Sequence, residues 1–263
     1  MALGAETIDA ISFTSIRLLS GAATLLLIVL ASAKNDRLRE AGSWLSAAML
    51  FLYALPFSLA YVSLDAGAGA LILFAAVQIT MVGAALLSGD RPHQLEWIGL
   101  LLALLGLVYL LLPGLAAPPL GAAAMMVLAG ACWGVYSLRG RKAGSALTDT
   151  ASNFLRCVPA TLAISIWFAD GISLSSKGVV IAILSGAIAS GLGYVIWYAA
   201  LRELTATRAA TVQLSVPVIA ALGGVLFLAE GLTMRLILSS VLIMGGIGLA
   251  ILGSRDTAGN GVS

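Results

Sequence analysis

Two stretches decide the fold: Ser12-Phe-Thr-Ser-Ile-Arg17-Leu-Leu19 and Ala151-Ser-Asn-Phe-Leu-Arg156-Cys-Val158. Each sets one arginine in the first third of an apolar run that is otherwise free of charge. A cation at membrane depth costs roughly 2.5–3.5 kcal/mol on insertion scales, so it is rare and faces a cavity or a partner. Two such runs in matching frames, one in each half of the chain, point to an internal repeat.

The surrounding composition fixes the solvent. Of 263 residues, 60% are hydrophobic and 10% charged, and the mean hydropathy is +1.06. An ordinary soluble domain has about 25% charged residues. The chain therefore reads as a polytopic helical membrane protein with little left for aqueous domains. Its net charge of +2 is small and its bases sit in short clusters between apolar runs, which argues against nucleic acid as a partner. Cys132 and Cys157 fall inside apolar runs without metal-ligand spacing and read as packing residues. The opening Met-Ala-Leu-Gly-Ala-Glu-Thr-Ile-Asp9 has two acids and no base, unlike a cleaved signal.

One bilayer crossing takes about 20 apolar residues. The runs between charge clusters predict nine helices at about 11–33, 43–64, 66–88, 95–113, 119–138, 150–169, 178–201, 207–229 and 232–253. Barrel strands are half that length and alternate in polarity, so an all-α bundle is expected. If the helices alternate strictly, Lys34, Arg37, Arg39, Arg91, Arg139, Arg141, Lys142, Arg202, Arg208 and Arg255 share one side, against Lys177 and Arg235 on the other. Basic loops stay in the cytoplasm. The expectation is a multi-pass protein of the inner (plasma) membrane with a cytoplasmic C-terminus and an outer N-terminus. Residues 254–263 read as a flexible tail.

The repeat extends beyond the arginines. Leu55-Pro56-Phe57-Ser-Leu-Ala-Tyr61 echoes Leu192-Gly193-Tyr194-Val-Ile-Trp-Tyr198, Gln78 echoes Gln213, and Asp90 echoes Glu230, in the same order. The helix near 119–138 has no counterpart in the first half. The domains expected are a four-helix first copy over residues 1–114 and a five-helix second copy over 115–253. Five is odd, so consecutive copies insert with opposite orientation, an inverted repeat of the kind found in secondary transporters.

These residues resemble the drug/metabolite transporter superfamily, and within it the EamA-type transporters. The resemblance rests on Phe13-Thr14-Ser15-Ile16-Arg17, Trp133-Gly134, Tyr194 to Leu201, and Ala209-Ala210-Thr211-Val212-Gln213-Leu214-Ser215-Val216-Pro217 followed by Glu230. It implies ten helices from two five-helix repeats, a central cavity lined by both, and export or exchange of small metabolites or drugs by alternating access. The partners expected are a small-molecule substrate and a lipid bilayer, with a homodimer as one open assembly, and no cofactor is expected. Against that pattern the chain begins at the second helix, so a truncated start and a nine-helix design both stand.

Candidate substrate-binding residues are Arg17, Tyr61, Gln78, Trp133, Tyr136, Asn153, Arg156, Tyr194, Trp197, Tyr198 and Gln213, a few polar groups among apolar walls. Arg17 and Arg156 are placed to bind an anionic group, to latch a gate, or to snorkel to an interface. Trp44, Trp97 and Trp167 lie near span ends and read as belt anchors; Gln78 and Gln213 equally suit interhelical hydrogen bonding. Pro56, Pro159 and Pro217 fall within spans, where proline kinks a helix. Gly130-Ala-Cys-Trp-Gly134 and Gly186-Ala-Ile-Ala-Ser190 allow close helix approach. Asp65, Asp90, Asp170 and Glu230 fall at helix ends, so no proton relay is written in the spans. A membrane-embedded enzyme would need clustered carboxylates or a nucleophile with its base, and the single histidine, His93, stands beside only Asp90 and Arg91. A non-transporting scaffold is the third reading.

Overall fold

Helices begin where a small polar residue can take the first free backbone N–H. In the computed structural model, which describes residues 7–32, 38–112, 118–228 and 231–253, that rule places most of the starts. Asp9 Oδ1 accepts from Ser12 N at 2.8 Å and opens α1 (Ala10–Ala31). Ser43 caps α2 (Trp44–Ala60), Ser145 caps α6 (Ala146–Trp167) and Ser175 caps α7 (Ser176–Leu184). Thr205 and Thr233 do the same for α9 (Ala206–Val212) and α11 (Met234–Leu252), and His93 Nδ1 for α4 (Gln94–Leu111). The remaining elements are α3 (Ala66–Leu87), α5 (Leu120–Gly140), a π-helical stretch (Ser185–Leu192), α8 (Gly193–Leu201) and α10 (Ser215–Leu228).

Counting α7 to α8 as one span and α9 to α10 as another, the described residues form nine helices, in a polytopic bundle as the apolar runs predict. Seven are long and apolar enough to cross a membrane. Two expectations need correction. The sixth helix starts at Ala146, not near 150, because the Ser145 cap draws the polar turn Thr148-Asp149-Thr150 into it. The eighth is broken at Gln213–Leu214: Leu214 N turns to the Thr211 carbonyl, and Pro217 brings no N–H to restore the ladder. Glu230, Lys34, Arg37, Arg255 and the expected tail lie outside the described residues.

The chain divides into two units, each drawing helices from both halves. The first takes residues 1–64 and 118–203. Here α1 packs along α6 and the π-helical stretch, and α2 along α5. A Cβ on Gly186 would collide with Ser20 Oγ and the Arg17 carbonyl, and one on Gly21 would sit 2.6 Å from the Phe154 ring. Small residues thus let α1 press against its neighbours. The chain before α1 pairs with the chain before α7: Asp9 N donates to Ser173 O at 3.1 Å and Ser175 N to Thr7 O at 2.9 Å. Burial pushes the Asp9 carboxyl up, but hydrogen bonds from Ser12 and Ser173 outweigh it and hold the group below its ordinary value.

The second unit takes residues 65–117 and 204–263. Its seam is α4 against α11, where a Cβ on either Gly99 or Gly246 would strike the carbonyl of the other. Gly106 meets Ile243 in the same seam at 2.9 Å. α3 packs against α9.

Candidate functional site

Arg17 is the organising residue of the first unit. It is 7% exposed, yet its guanidinium meets only neutral groups. Nε donates to Ser190 Oγ at 2.7 Å, and Nη2 donates to Tyr194 Oη at 2.7 Å and to Tyr53 Oη at 3.3 Å. The Tyr53 and Phe57 rings lie 5.7 and 5.8 Å from Cζ, within cation–π range. Among the described residues no carboxylate is paired with it; the ion pair found there, Glu96–Arg208, belongs to the second unit.

The local fold delivers these partners. Ser190 and Tyr194 are four residues apart, and the π-helical stretch Ser185–Leu192 that precedes α8 carries Ser190 within it. Its Gly186 and Gly191 weaken the ordinary ladder and admit the α1 backbone, and π-bulges recur at functional sites. Tyr53 and Phe57 come from one face of α2, at helical spacing.

An aromatic wall extends the cage. Trp133 lies 4.8 Å from the Tyr53 ring and 4.7 Å from that of Tyr194. Tyr136 stands between Trp133 at 5.7 Å and Tyr198 at 4.9 Å. Tyr198 Oη donates to the Tyr136 carbonyl at 3.2 Å, and Trp197 Nε1 to Ser137 Oγ at 3.0 Å. Tyr61 caps the far end of α2 and meets Phe57 edge-on at 4.8 Å. Such a site offers a desolvated cation, phenolic hydroxyls and flat apolar walls, which together suit a small solute with an anionic end.

Other predicted residues do different work. Arg156, the arginine that echoes Arg17 in the sequence, donates to the carbonyls of Ala41 and Arg39 at 2.7 and 3.2 Å, bonds Ser152, and lies 5.8 Å over the Trp44 ring. Asn153 Oδ1 accepts from Ser43 N at 3.0 Å and Asp149 from Gly42 N at 2.6 Å. These side chains fasten residues 39–43, just before α2, onto α6. Gly42 has φ +65°, and a Cβ there would lie 2.6 Å from Asn153 Oδ1, so glycine is required twice over. In the second unit, Gln78 Nε2 donates at 2.6 Å to the Ala210 carbonyl, which the helix break frees, while its Oε1 is buried with no hydrogen-bond donor among the described residues. Gln213 Nε2 points at Met81 Sδ, 3.1 Å away.

Sequence reasoning missed three residues. Tyr53 was legible in the aromatic stripe Tyr53, Phe57, Tyr61 along one helix face. Ser190 was not, because its role depends on the π-helical register. Glu96, two residues inside α4, is 4% exposed and held by Arg208 Nη2 and Nε at 2.7 and 2.9 Å; on the sequence it stands at the start of the helix expected over 95–113, where nothing marks it as buried.

Known proteins agree with this architecture. The EamA-like transporter family matches residues 120–252. An uncharacterized protein of Pseudomonas aeruginosa is 49% identical over 250 residues, spanning 95% of this chain and 87% of its own. The threonine/homoserine exporter RhtA of Escherichia coli is 31% identical over 187 residues, 67% of this chain and 59% of the exporter. Its Salmonella typhimurium counterpart is also 31% identical, over 58% of this chain and 52% of its own; the match thus spans little more than half of these exporters. A solved crystal structure shares the fold, with a TM-score of 0.78 at 21% identity over 97% of this chain and 91% of its own. The chain belongs to the EamA-like transporter family of the drug/metabolite transporter superfamily: it is a multi-pass membrane transporter of small molecules and not an enzyme.

Proposed function

We propose that the chain exports small organic metabolites that carry a carboxylate, and that Arg17 receives that carboxylate. The observation that carries this reading is the state of Arg17: buried, cradled by three hydroxyls, and paired with no acid among the described residues. Burying a charge without a counter-ion is costly, and an anionic solute removes the cost while it is bound. Threonine and homoserine, the solutes in the name of the exporters 31% identical to this chain, both bear a carboxylate.

The working cycle is alternating access between two inverted repeats, in the inner membrane, with the C-terminus cytoplasmic. Packing within the units supports the repeat. Within the units α1 lies along α6, α3 against α9 and α4 along α11, each pairing a helix of the first half of the chain with one of the second. The test is counterflow in vesicles containing the purified chain. Preloaded threonine or homoserine should draw labelled solute inward at least about tenfold faster than in protein-free vesicles, and Arg17→Ala should remove most of that flux, as expected when a charged hydrogen bond of roughly 1.5–3 kcal/mol is lost. Flux equal to wild type in Arg17→Ala would contradict the assignment.

A further inference from the structure

Glu96 is the one acid that is buried among the described residues, and nothing in the Arg17 site uses it. Arg208 grips its Oε1 with two nitrogens at 2.7 and 2.9 Å. The pair is not sealed: both residues line a polar cleft with Asp90, Arg91, Pro92, His93, Thr205 and Thr207. A proton can therefore reach a carboxylate that the protein otherwise buries.

The partner's position gives the pair a mechanical meaning. Arg208 sits on α9, a segment of seven residues that ends at the break Gln213–Leu214. Two side chains from neighbouring helices hold this segment: Glu96 of α4 grips Arg208, and Gln78 of α3 takes the Ala210 carbonyl. The second is a neutral hydrogen bond, whereas the first depends on charge.

We propose that Glu96 and Arg208 form a proton-operated latch that couples transport to a pH gradient. With Glu96 ionised the pair is closed and α9 is fastened to α4. A proton delivered from the cleft to the Glu96 carboxylate forms an O–H bond and cancels its charge; Arg208 keeps its own proton and charge, and its grip is lost. α9 is then free to pivot at the break. Among the described residues, the charged and titratable groups facing the pair are His93 at the start of α4, Asp90 and Arg91 in the preceding loop, and Arg208 itself on α9. His93 caps α4 through Nδ1, and protonation there removes a cap without touching the ion pair, so it predicts a different signature, confined to the α4 start.

Amide hydrogen exchange reads this without any substrate. The full chain in lipid nanodiscs is compared at about pH 7 and about pH 3, on either side of the ordinary glutamate value of about 4.3, with rates corrected for intrinsic pH dependence. Residues 205–214 should lose at least about tenfold protection at the lower pH in wild type, while α4 and α11 keep theirs. Glu96→Gln should show the released pattern at both values, and Glu96→Asp should restore pH dependence. Unchanged protection of 205–214 in wild type overturns the latch even if no variant folds, as does deprotection confined to the α4 start. Because the readout involves neither Arg17 nor a solute, its failure leaves the carboxylate-export reading standing, and the reverse also holds.

Discussion

A lone arginine in an apolar run announces itself in a sequence, and Arg17 and Arg156 were equally conspicuous. Their outcomes differ. Arg17 is buried among Ser190, Tyr53 and Tyr194, whereas Arg156 spends its guanidinium on the loop carbonyls of Arg39 and Ala41. The sequence could not separate them because the difference lies in which neighbours arrive, and Ser190 arrives only through the π-helical register. If the hydroxyls orient the guanidinium, Tyr194→Phe should lower counterflow by about tenfold, the equivalent of a charged hydrogen bond of about 1.5 kcal/mol, with the ring packing on Trp133 retained. A variant with wild-type flux and normal membrane insertion would show that the hydroxyl is incidental.

At the scale of elements, the apolar runs gave all nine helices among the described residues, because hydropathy over about 20 residues is a direct reading of what lipid demands. What escaped was irregularity. The π-helical stretch and the break at Gln213–Leu214 both occur inside runs that are apolar on average, and mean hydropathy is blind to backbone register. Glycines at Gly186 and Gly191 and the proline at Pro217 were visible, but each is also common in ordinary membrane helices. The close approach of α1 to the π-helical stretch makes a sharp prediction. Gly186→Ala puts a methyl group into the Arg17 carbonyl and should destabilise the protein by about 1–3 kcal/mol, the usual cost of overpacking. Denaturant unfolding in detergent measures it; an unshifted midpoint would mean that this contact is looser than described. Gly83→Ala, with open space around it, is the matched control.

At the scale of the whole molecule, the family expectation rested on the resemblance of Phe13-Thr14-Ser15-Ile16-Arg17, Trp133-Gly134 and Ala209 to Pro217 to EamA-type sequences, and the family match over residues 120–252 bears it out. The grouping into two units, each drawing on both halves of the chain, was not legible: which helices cluster depends on small-residue seams such as Gly99 and Gly246, far apart in the chain. A cytoplasmic C-terminus is the orientation we propose, from the excess of lysine and arginine on one set of loops. A fluorescent protein fused after Ser263 should therefore glow in cells while a phosphatase at the same position stays inactive. Phosphatase activity there would invert the assigned topology.

The central claim is that Arg17 recognises a carboxylate, and the most direct measurement is discrimination between threonine and threoninamide as competitors in counterflow. The two differ in one charge and little in shape. Wild type should prefer the carboxylate by at least about tenfold, the worth of a buried charge-assisted contact. Arg17→Gln should bring the two to within about twofold of each other, whatever its absolute rate. Equal preference in wild type, or the same preference in both proteins, would contradict the account.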